Sequence, residues 1–265
     1  MKKLLIVISG GGFAQIETAL GCLCALKNRG CDLASSDIDW RGTSAGGIVS
    51  TALALGNPID HLINKVHHTK TKELIYKRWF WPVRLAAGGC IYDREGLEKF
   101  VKSFVGDKTA DNVRVMLTNL ATMTKEEMPG NYLSCLATSG INRIFPHTAI
   151  NNSEYIDGGY VDNVPLDPYM LNEYEKILII LPPRDADAAR HKATLIGRIL
   201  QEVHVKISQE VNEAEHTFRQ KNFYPNVTLL RPPPAKTSLL SWSDGYALIS
   251  HAYHYAWKQL AKENF

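Results

Sequence analysis

Short apolar runs and helical apolar repeats alternate along the chain. Residues 3–9 form a β-branched apolar run bounded by glycines, and residues 176–182 contain a second, unbroken one, as is typical of central strands in a parallel sheet. In residues 15–27 the apolar side chains instead recur on one face of a helix. The same criteria predict further strands at 38–43, 114–122 and 226–231, and helices at 45–55, 59–69, 96–104, 192–218 and 244–262. This alternation predicts an α/β fold with a mostly parallel central sheet and helices on both faces, in three α/β/α layers.

Length and composition are those of an ordinary globular chain. With 265 residues, 45% of them hydrophobic, and with no internal repeat or low-complexity linker, the sequence predicts one domain over residues 1–265. The formal net charge of +3 is too small to favour nucleic acid as a partner. No apolar stretch approaches the ~18 residues of a membrane-spanning helix, and the N-terminal apolar run is too short for a secretory signal peptide. We therefore expect a cytoplasmic protein.

The cysteines form no pattern that would bind a metal. Neither a CxxC pair nor a histidine pair at metal-ligand spacing accompanies them. They are therefore predicted to be free, buried thiols in a reducing compartment. The five positions are Cys22, Cys24, Cys31, Cys90 and Cys135.

Residues 42–46 form a G-x-S-x-G pattern between a predicted strand and a predicted helix. This pattern is typical of a sharp strand-to-helix turn that holds a serine, here Ser44, in a strained conformation with its hydroxyl exposed. Gly42 and Gly46 are expected because a side chain at either position would collide with the neighbouring strand or helix. A tightly packed turn of small residues without a catalytic role is the alternative.

Gly10, Gly11 and Gly12 follow the first predicted strand. Three glycines at this point let the backbone approach a ligand closely and turn N–H groups toward negative charge. An oxyanion hole and a phosphate cradle both fit, and a glycine-rich turn without a ligand is the alternative. The dinucleotide-binding pattern fails because residue 15 is glutamine and no acidic residue closes a second strand about 20 residues further on.

Asp157 precedes two glycines, a combination that forms either a plain turn or a carboxylate held to accept a hydrogen bond from a serine hydroxyl. A histidine base is the competing interpretation, because several histidines follow Ser44 and Asp157 in the order of an α/β-hydrolase triad. The histidines that follow Asp157 are His191, His204, His216, His251 and His254. They lie on predicted helices rather than on a loop after the last strand. His147 precedes Asp157 and so does not fit the order.

The three motifs in this order resemble the patatin-like phospholipase family. They are the glycines at 10–12, the G-x-S-x-G at 42–46, and the Asp-Gly-Gly at 157–159 with Asn163 and Pro165 after it. The resemblance covers about residues 3–182 and implies a Ser–Asp dyad without histidine. In that dyad Ser44 is the nucleophile, Asp157 is the base, and backbone N–H groups of the glycine loop hold the oxyanion. No metal or organic cofactor is implied.

The sequence departs from the family pattern in two places. The family's glycine loop usually continues with an arginine or lysine, where this chain has Ala14. The absent cation would weaken stabilisation of an oxyanion or a phosphate, and Gln15 is a candidate for a neutral donor in its place. Asp39 and Arg41, which interrupt the apolar pattern of the strand before Ser44, are the second departure.

Residues 66–92 lack a clean repeat and include Trp79, Phe80 and Trp81 among lysines and arginines. This composition is typical of a surface that rests at the lipid headgroup boundary. A core position for the tryptophans is the alternative. The sequence thus predicts a cap or membrane-facing segment here, and with it transient contact with a membrane surface.

These observations together predict a serine hydrolase that cleaves fatty-acyl esters of phospholipids or lysophospholipids through an acyl-enzyme. A Ser-His-Asp esterase of α/β-hydrolase type and a lipid-binding protein with weak catalysis are the alternatives. A phospholipid or lysophospholipid is the expected substrate, and the need for an activating protein is left open.

Overall fold

The computed structural model describes residues 2–77, 79–184, 195–220, 224–235, 240–242, 246–263 and 265. The strands in these ranges are β1 (Lys2–Ile8), β2 (Ile38–Thr43), β3 (Tyr76–Lys77), β4 (Tyr92–Asp93), β5 (Ala110–Asn119), β6 (Lys125–Gly130), β7 (Thr148–Ile150), β8 (Ser153–Asp157), β9 (Tyr174–Ile180) and β10 (Val227–Leu230). The α-helices are α1 (Gly12–Asn28), α2 (Ala45–Ala54), α3 (Ile59–His68), α4 (Thr71–Leu74), α5 (Trp81–Ala86), α6 (Glu95–Val105), α7 (Tyr132–Thr138), α8 (Leu195–Phe218) and α9 (Ala247–Lys262). Short 3₁₀ helices cover Gly158–Tyr160 and Pro168–Asn172.

The main sheet has the strand order β10-β9-β1-β2-β5-β8-β7, and β6 also pairs with β5. From β10 to β5 every neighbouring pair is parallel. The strands β6, β7 and β8 add antiparallel pairs at the other side of the sheet. The prediction of an α/β fold with a mostly parallel sheet is confirmed.

Strand β1 packs against helices on both faces of the sheet, because successive residues of a strand point to opposite sides. Leu4, Ile6 and Ile8 belong to an apolar cluster with residues of α1, α2 and α9. Leu5 and Val7 belong to a second cluster with residues of α8. Full burial of one such aliphatic side chain contributes ~1.5–3 kcal/mol relative to its exposure. Both faces are therefore covered, and the carboxyl ends of the parallel strands lie along one edge.

Strand β2 is central although two charged residues interrupt its apolar pattern. The Tyr174 hydroxyl donates to the Asp39 carboxylate at 2.7 Å. Arg41, which is only 5% exposed, forms ion pairs with Glu127 of β6 and, at 3.8 Å, with Asp167. Burial of a charge is tolerated when partners compensate its lost hydration. The unusual polarity of this strand is thus explained by contacts with other segments.

The apolar pattern does not predict the elements between residues 125 and 157, namely β6, α7, β7 and β8. The strand β6 alternates exposed and half-buried residues of mostly polar character, so it carries no apolar run. It is held by antiparallel pairing with β5, as is β8. Strand β5 itself covers Ala110–Asn119, earlier at both ends than the predicted 114–122. Positions 192–194 and 244–245 of two predicted helices lie outside the described residues.

The cysteines are free thiols, as predicted. Cys22, Cys90 and Cys135 are buried, whereas Cys24 and Cys31 are half-buried. Burial raises the pKa of the Cys135 thiol to about 12, so that thiol is unreactive at neutral pH. In the ranges that the structure describes, no helix is both long and apolar enough to span a bilayer.

The segment 66–92 runs from the end of α3 through α4, the small β3–β4 sheet and α5, with residue 78 outside the description. Trp79 is 84% exposed and Phe80 is 63% exposed, and their rings stack with centroids 4.9 Å apart. Trp81 is half-buried and packs against the apolar core. Trp79 and Phe80 thus lie on the surface, as expected of a membrane-facing segment, whereas Trp81 contacts the core, as the alternative expects.

Candidate active site

Ser44 lies in a sharp turn between β2 and α2. Its backbone φ is 54° and its ψ is −125°, a left-handed conformation that a non-glycine residue adopts at a cost of about 1–3 kcal/mol. A Cβ atom on Gly46 would lie 2.2 Å from the Ile8 carbonyl oxygen, and one on Gly42 would lie 2.5 Å from the Gly46 carbonyl carbon. Only glycine leaves the space for the helix to pass so close to the strands. The strained turn is the one that the G-x-S-x-G pattern predicts, but Ser44 is buried and not exposed as expected.

Asp157 lies at the end of β8, next to Ser44. The Ser44 hydroxyl interacts with its carboxyl, and the Gly159 N–H donates to Asp157 Oδ1 at 2.8 Å. The residue is 6% exposed, and this burial raises the pKa of its carboxyl to about 7 although both contacts act to lower it. A base with a pKa near the working pH is well matched to proton transfer. A carboxylate of this basicity beside a hydroxyl can accept its proton.

Thr138 fixes the backbone of the turn at Ser44. Its hydroxyl accepts the Ser44 N–H at 2.7 Å and donates to the Met116 carbonyl oxygen at 2.6 Å. The Ser44 N–H is therefore used within the protein and does not face a ligand. Sequence reasoning gave Thr138 no role, because a hydroxyl at the end of a short helix carries no pattern of its own.

The glycine loop lies beside Ser44, and its members differ in what their N–H groups contact. The Gly10 N–H donates to the Asn163 carbonyl oxygen at 3.2 Å. Gly12 is the first residue of α1, where N–H groups have no acceptor within the helix. The Gln15 amide donates to the Ile180 carbonyl oxygen at 2.9 Å and to Ser9 Oγ at 3.3 Å. Gln15 thus holds the end of β9, an arrangement that does not support it as an oxyanion donor.

Asn163 joins the glycine loop, the Asp157 turn and α8. Its side chain is 1% exposed, and neither of its amide atoms has a hydrogen-bond partner among the described residues. Its Oδ1 occupies the space that a Cβ on Gly10 or Gly159 would need, at 2.3 Å and 2.9 Å from those positions. Its N–H donates to Glu210 of α8 at 2.8 Å. The glycines at these two positions make room for this amide.

Two pockets meet at Ser44, and both are lined by Gly12 and Ile141 as well. One of them, which we call the apolar pocket, is also lined by Ile48 and Phe145. Its lining is almost entirely hydrophobic. A pocket of this chemistry suits a hydrocarbon chain.

The second pocket has apolar walls as well, and we call it the polar pocket after the charged and hydroxyl-bearing residues in its lining. It contains Asp157 together with Tyr160 and, from α8, Lys206. The Lys206 ammonium donates to the Tyr160 carbonyl oxygen and lies 5.9 Å from the centroid of the Tyr160 ring. Burial raises the pKa of the Tyr160 hydroxyl to about 12, so it is neutral at physiological pH. Sequence reasoning missed Lys206, since one lysine of a long amphipathic helix has no distinguishing signal.

No described histidine lines either of the two pockets at Ser44. His147 instead contacts Asn142 Oδ1 at 3.1 Å and Glu154 at 3.7 Å. His191 lies outside the described residues. Over the part of the chain that is described, no group of three or more His, Cys, Asp or Glu side chains is arranged to hold a metal ion.

Fold and site together define an α/β protein with a serine at a nucleophile elbow and a buried carboxylate beside it. The family model for patatin-like phospholipase matches residues 6–170, and the chain therefore belongs to the patatin-like phospholipase family. The match includes the glycine loop, the serine turn and Asp157. Membership in this family supports lipid acyl hydrolysis as the general class of activity.

Twelve chains of solved structures match this one. Among them is the crystal structure of VipD from Legionella pneumophila, which is 15% identical with a TM-score of 0.58; the match covers 99% of this chain and 66% of the VipD chain. At this identity the likeness shows the fold alone, and this chain spans just under two thirds of the length of that structure. The comparison with curated proteins gives no match.

Proposed function

We propose that this protein hydrolyses fatty-acyl esters of phospholipids or lysophospholipids with a Ser44–Asp157 dyad. The observation that carries the proposal is a buried carboxylate beside the Ser44 hydroxyl, which lies in a strained strand-to-helix turn. A carboxylate is ordinarily a weaker base than imidazole. The elevated pKa of Asp157, about 7, offsets this difference and brings its basicity close to that of histidine.

The proposed reaction proceeds through an acyl-enzyme. Ser44 Oγ attacks the ester carbonyl carbon while its proton passes to the Asp157 carboxylate. N–H groups of Gly11 and Gly12 bind the oxyanion, whereas that of Gly10 is already used by Asn163. Collapse of the intermediate breaks the ester C–O bond, and the leaving alcohol takes the proton from Asp157. Water then attacks the acyl-enzyme by the same route and releases the fatty acid.

The apolar pocket is the proposed site for the acyl chain. It opens at Ser44 and shares Ile16 and Ile48 with a further apolar pocket between α1, α2, α3 and α6. An acyl chain placed there would replace contact with water by contact with hydrocarbon, which contributes ~0.8 kcal/mol per CH₂ group. This arrangement favours fatty-acyl esters over short-chain ones.

Hydrolysis assays with histidine variants test the dyad against a histidine triad. Wild type is expected to release fatty acid from mixed phospholipid vesicles and nitrophenol from a nitrophenyl ester. Replacement of any single histidine by alanine, at His147 or at a position after Asp157, is expected to change kcat/KM by less than about threefold, since no described histidine lines the two pockets at Ser44. Loss of about 100-fold or more in one correctly folded histidine variant would show that a triad, and not the dyad, does the chemistry.

We also propose that the exposed aromatic pair Trp79–Phe80 contacts the membrane surface. Large exposed apolar side chains beside cations are suited to the headgroup boundary, and Lys77 and Arg84 are both exposed here. The double variant Trp79→Ser/Phe80→Ser should weaken partition onto anionic phospholipid vesicles about 10-fold or more, because both rings lose their burial in lipid. Sedimentation with vesicles measures this.

Tyr169→Ser is the matched control, since Tyr169 is also an aromatic residue with 65% exposure but lies outside the segment 66–92. It should bind vesicles as wild type does. Equal binding by the double variant and the control would refute a role for the aromatic pair. In this proposal the protein acts in the cytoplasm with transient membrane contact.

A further inference from the structure

Lys206 is the charged side chain of the polar pocket that the proposed chemistry does not use. It reaches this pocket from α8, which lies outside the residues 6–170 that the family model matches. Its ammonium donates one hydrogen bond, to the Tyr160 carbonyl oxygen, and lies beside the Tyr160 ring. An ammonium group can donate three hydrogen bonds. It therefore keeps donors for a ligand in the pocket that holds Ser44 and Asp157.

The cation has no anionic partner within ion-pair distance among the described residues. Glu210, one turn further along α8, interacts electrostatically with Lys206, but its Oε2 accepts the Asn163 N–H at 2.8 Å. The glycine loop supplies no cation either, because α1 begins with Phe13, Ala14 and Gln15 after Gly12. A half-buried ammonium group that forms no direct ion pair gains from an anion that completes its hydrogen bonds.

The arrangement of the two pockets indicates which anion this is. An acyl chain in the apolar pocket places its ester carbonyl at Ser44, and the alcohol part of the ester then lies in the polar pocket. In a glycerophospholipid only a few bonds separate the acyl ester from the phosphate. The phosphate therefore falls within reach of a cation that lines the pocket of the leaving group.

We infer that Lys206 binds the phosphate of the glycerophospholipid and makes the site prefer phosphate-bearing acyl esters to uncharged acylglycerols. The inference rests on the proposed function and adds a specificity-determining residue to it. The charge-assisted hydrogen bond acts on substrate and transition state alike, so its loss raises KM more than it lowers kcat.

Hydrolysis of two substrates measures the preference. The ratio of kcat/KM for phosphatidylcholine to kcat/KM for diacylglycerol, both in mixed detergent micelles, is compared between wild type and Lys206→Met. We expect the ratio to fall about 10- to 100-fold, the size of one lost hydrogen bond to a charged group. Lys206→Arg should keep most of the preference because it keeps the charge. Lys258→Met, an exposed lysine of α9, is the matched control and should leave the ratio unchanged.

An unchanged ratio in Lys206→Met, or an equal loss on both substrates, would overturn the inference. Thermal unfolding of each variant shows whether the fold is intact, and Lys206→Arg serves where methionine disturbs the packing. Binding gives a readout that does not depend on turnover. A short-chain ether-linked glycerophosphocholine should bind about 10-fold or more weakly to Lys206→Met, relative to the alkylglycerol of the same chain length.

The two measurements separate the two proposals. If wild type hydrolyses neither ester but prefers the ether-linked phosphate ligand, and Lys206→Met loses that preference, the proposed function is refuted and the phosphate site is supported. If wild type hydrolyses both esters but shows no preference for phosphate in binding or in rate, the proposed function is supported and the phosphate site is refuted.

Discussion

Replacement of Ser44 by alanine is expected to lower kcat for acyl-ester hydrolysis by about 10⁴-fold or more, because it removes the proposed nucleophile and the neighbouring Thr43 hydroxyl donates to the Asp162 carbonyl oxygen. The geometry of the turn should survive, since alanine meets the same backbone constraint at a φ of 54° as serine does. Stability should therefore change little. The measurement is hydrolysis of a nitrophenyl ester and of phospholipid vesicles, together with covalent labelling by a fluorophosphonate probe. Wild type should be labelled once, and Ser44→Ala not at all.

Ser50→Ala is the matched control for this experiment. Ser50 lies on the same helix, α2, and its buried hydroxyl has no hydrogen-bond partner among the described residues. Its removal should leave hydrolysis and labelling as in wild type. Activity in Ser44→Ala comparable to that of the control would show that Ser44 is not the nucleophile, whatever the conformation of its turn.

Asp157→Asn should reduce kcat/KM by about 10³-fold or more, because an amide cannot take the serine proton. The same assignment predicts the pH profile of wild type. Protonation of a carboxyl with a pKa of about 7 removes the base, so kcat/KM should fall about tenfold per pH unit below pH 7 and level off above it. Assays of the nitrophenyl ester between pH 5 and pH 9 measure this limb.

A histidine could produce a limb in the same pH range, and the histidine variants distinguish the two origins. The limb should persist in each of them and should be absent from the residual activity of Asp157→Asn. A flat profile in wild type between pH 5 and pH 9 would contradict the assignment of Asp157 as base.

The buried carboxyl also predicts an effect on stability with a definite sign. An ordinary aspartate in the unfolded chain has a pKa near 4, whereas in the folded chain the pKa of Asp157 is about 7. Between these values the folded state holds the additional proton, so the free energy of unfolding falls as pH rises from about 4 to about 7. The loss is on the order of 4 kcal/mol by pH 8.

Asp157→Asn removes this loss of stability at high pH, since asparagine has no charge to bury. Asp157→Asn should therefore be more stable than wild type at pH 8 and closer to it at pH 5, as measured by urea unfolding at both values. Such a gain in stability with a loss of activity is expected where a catalytic group is held against its own preference for water. A variant less stable than wild type at pH 8 would show that the carboxylate stabilises the fold, contrary to this account.

The sequence by itself determined the parts of this protein that depend on neighbouring residues. The apolar runs of β1 and β9 and the repeat of α1 predict their elements within a few residues, because strand and helix periods are local properties. The turn at Ser44 follows from Gly42 and Gly46, whose missing side chains are required by close backbone approach on both sides. The order of the three motifs likewise indicated the family that the model of residues 6–170 confirms.

Only the tertiary structure decided the features that depend on distant parts of the chain. Arg41 is accommodated in a central strand because Glu127 and Asp167 reach it from elsewhere in the fold. The short strands between residues 125 and 157 exist because β5 offers them a partner, and their own composition gives no apolar run. Thr138 supports the nucleophile turn, and Lys206 enters its pocket, through contacts that no local spacing encodes. A side chain's role in such a site is set by what the folded chain brings beside it, and periodicity along the sequence carries no information about that.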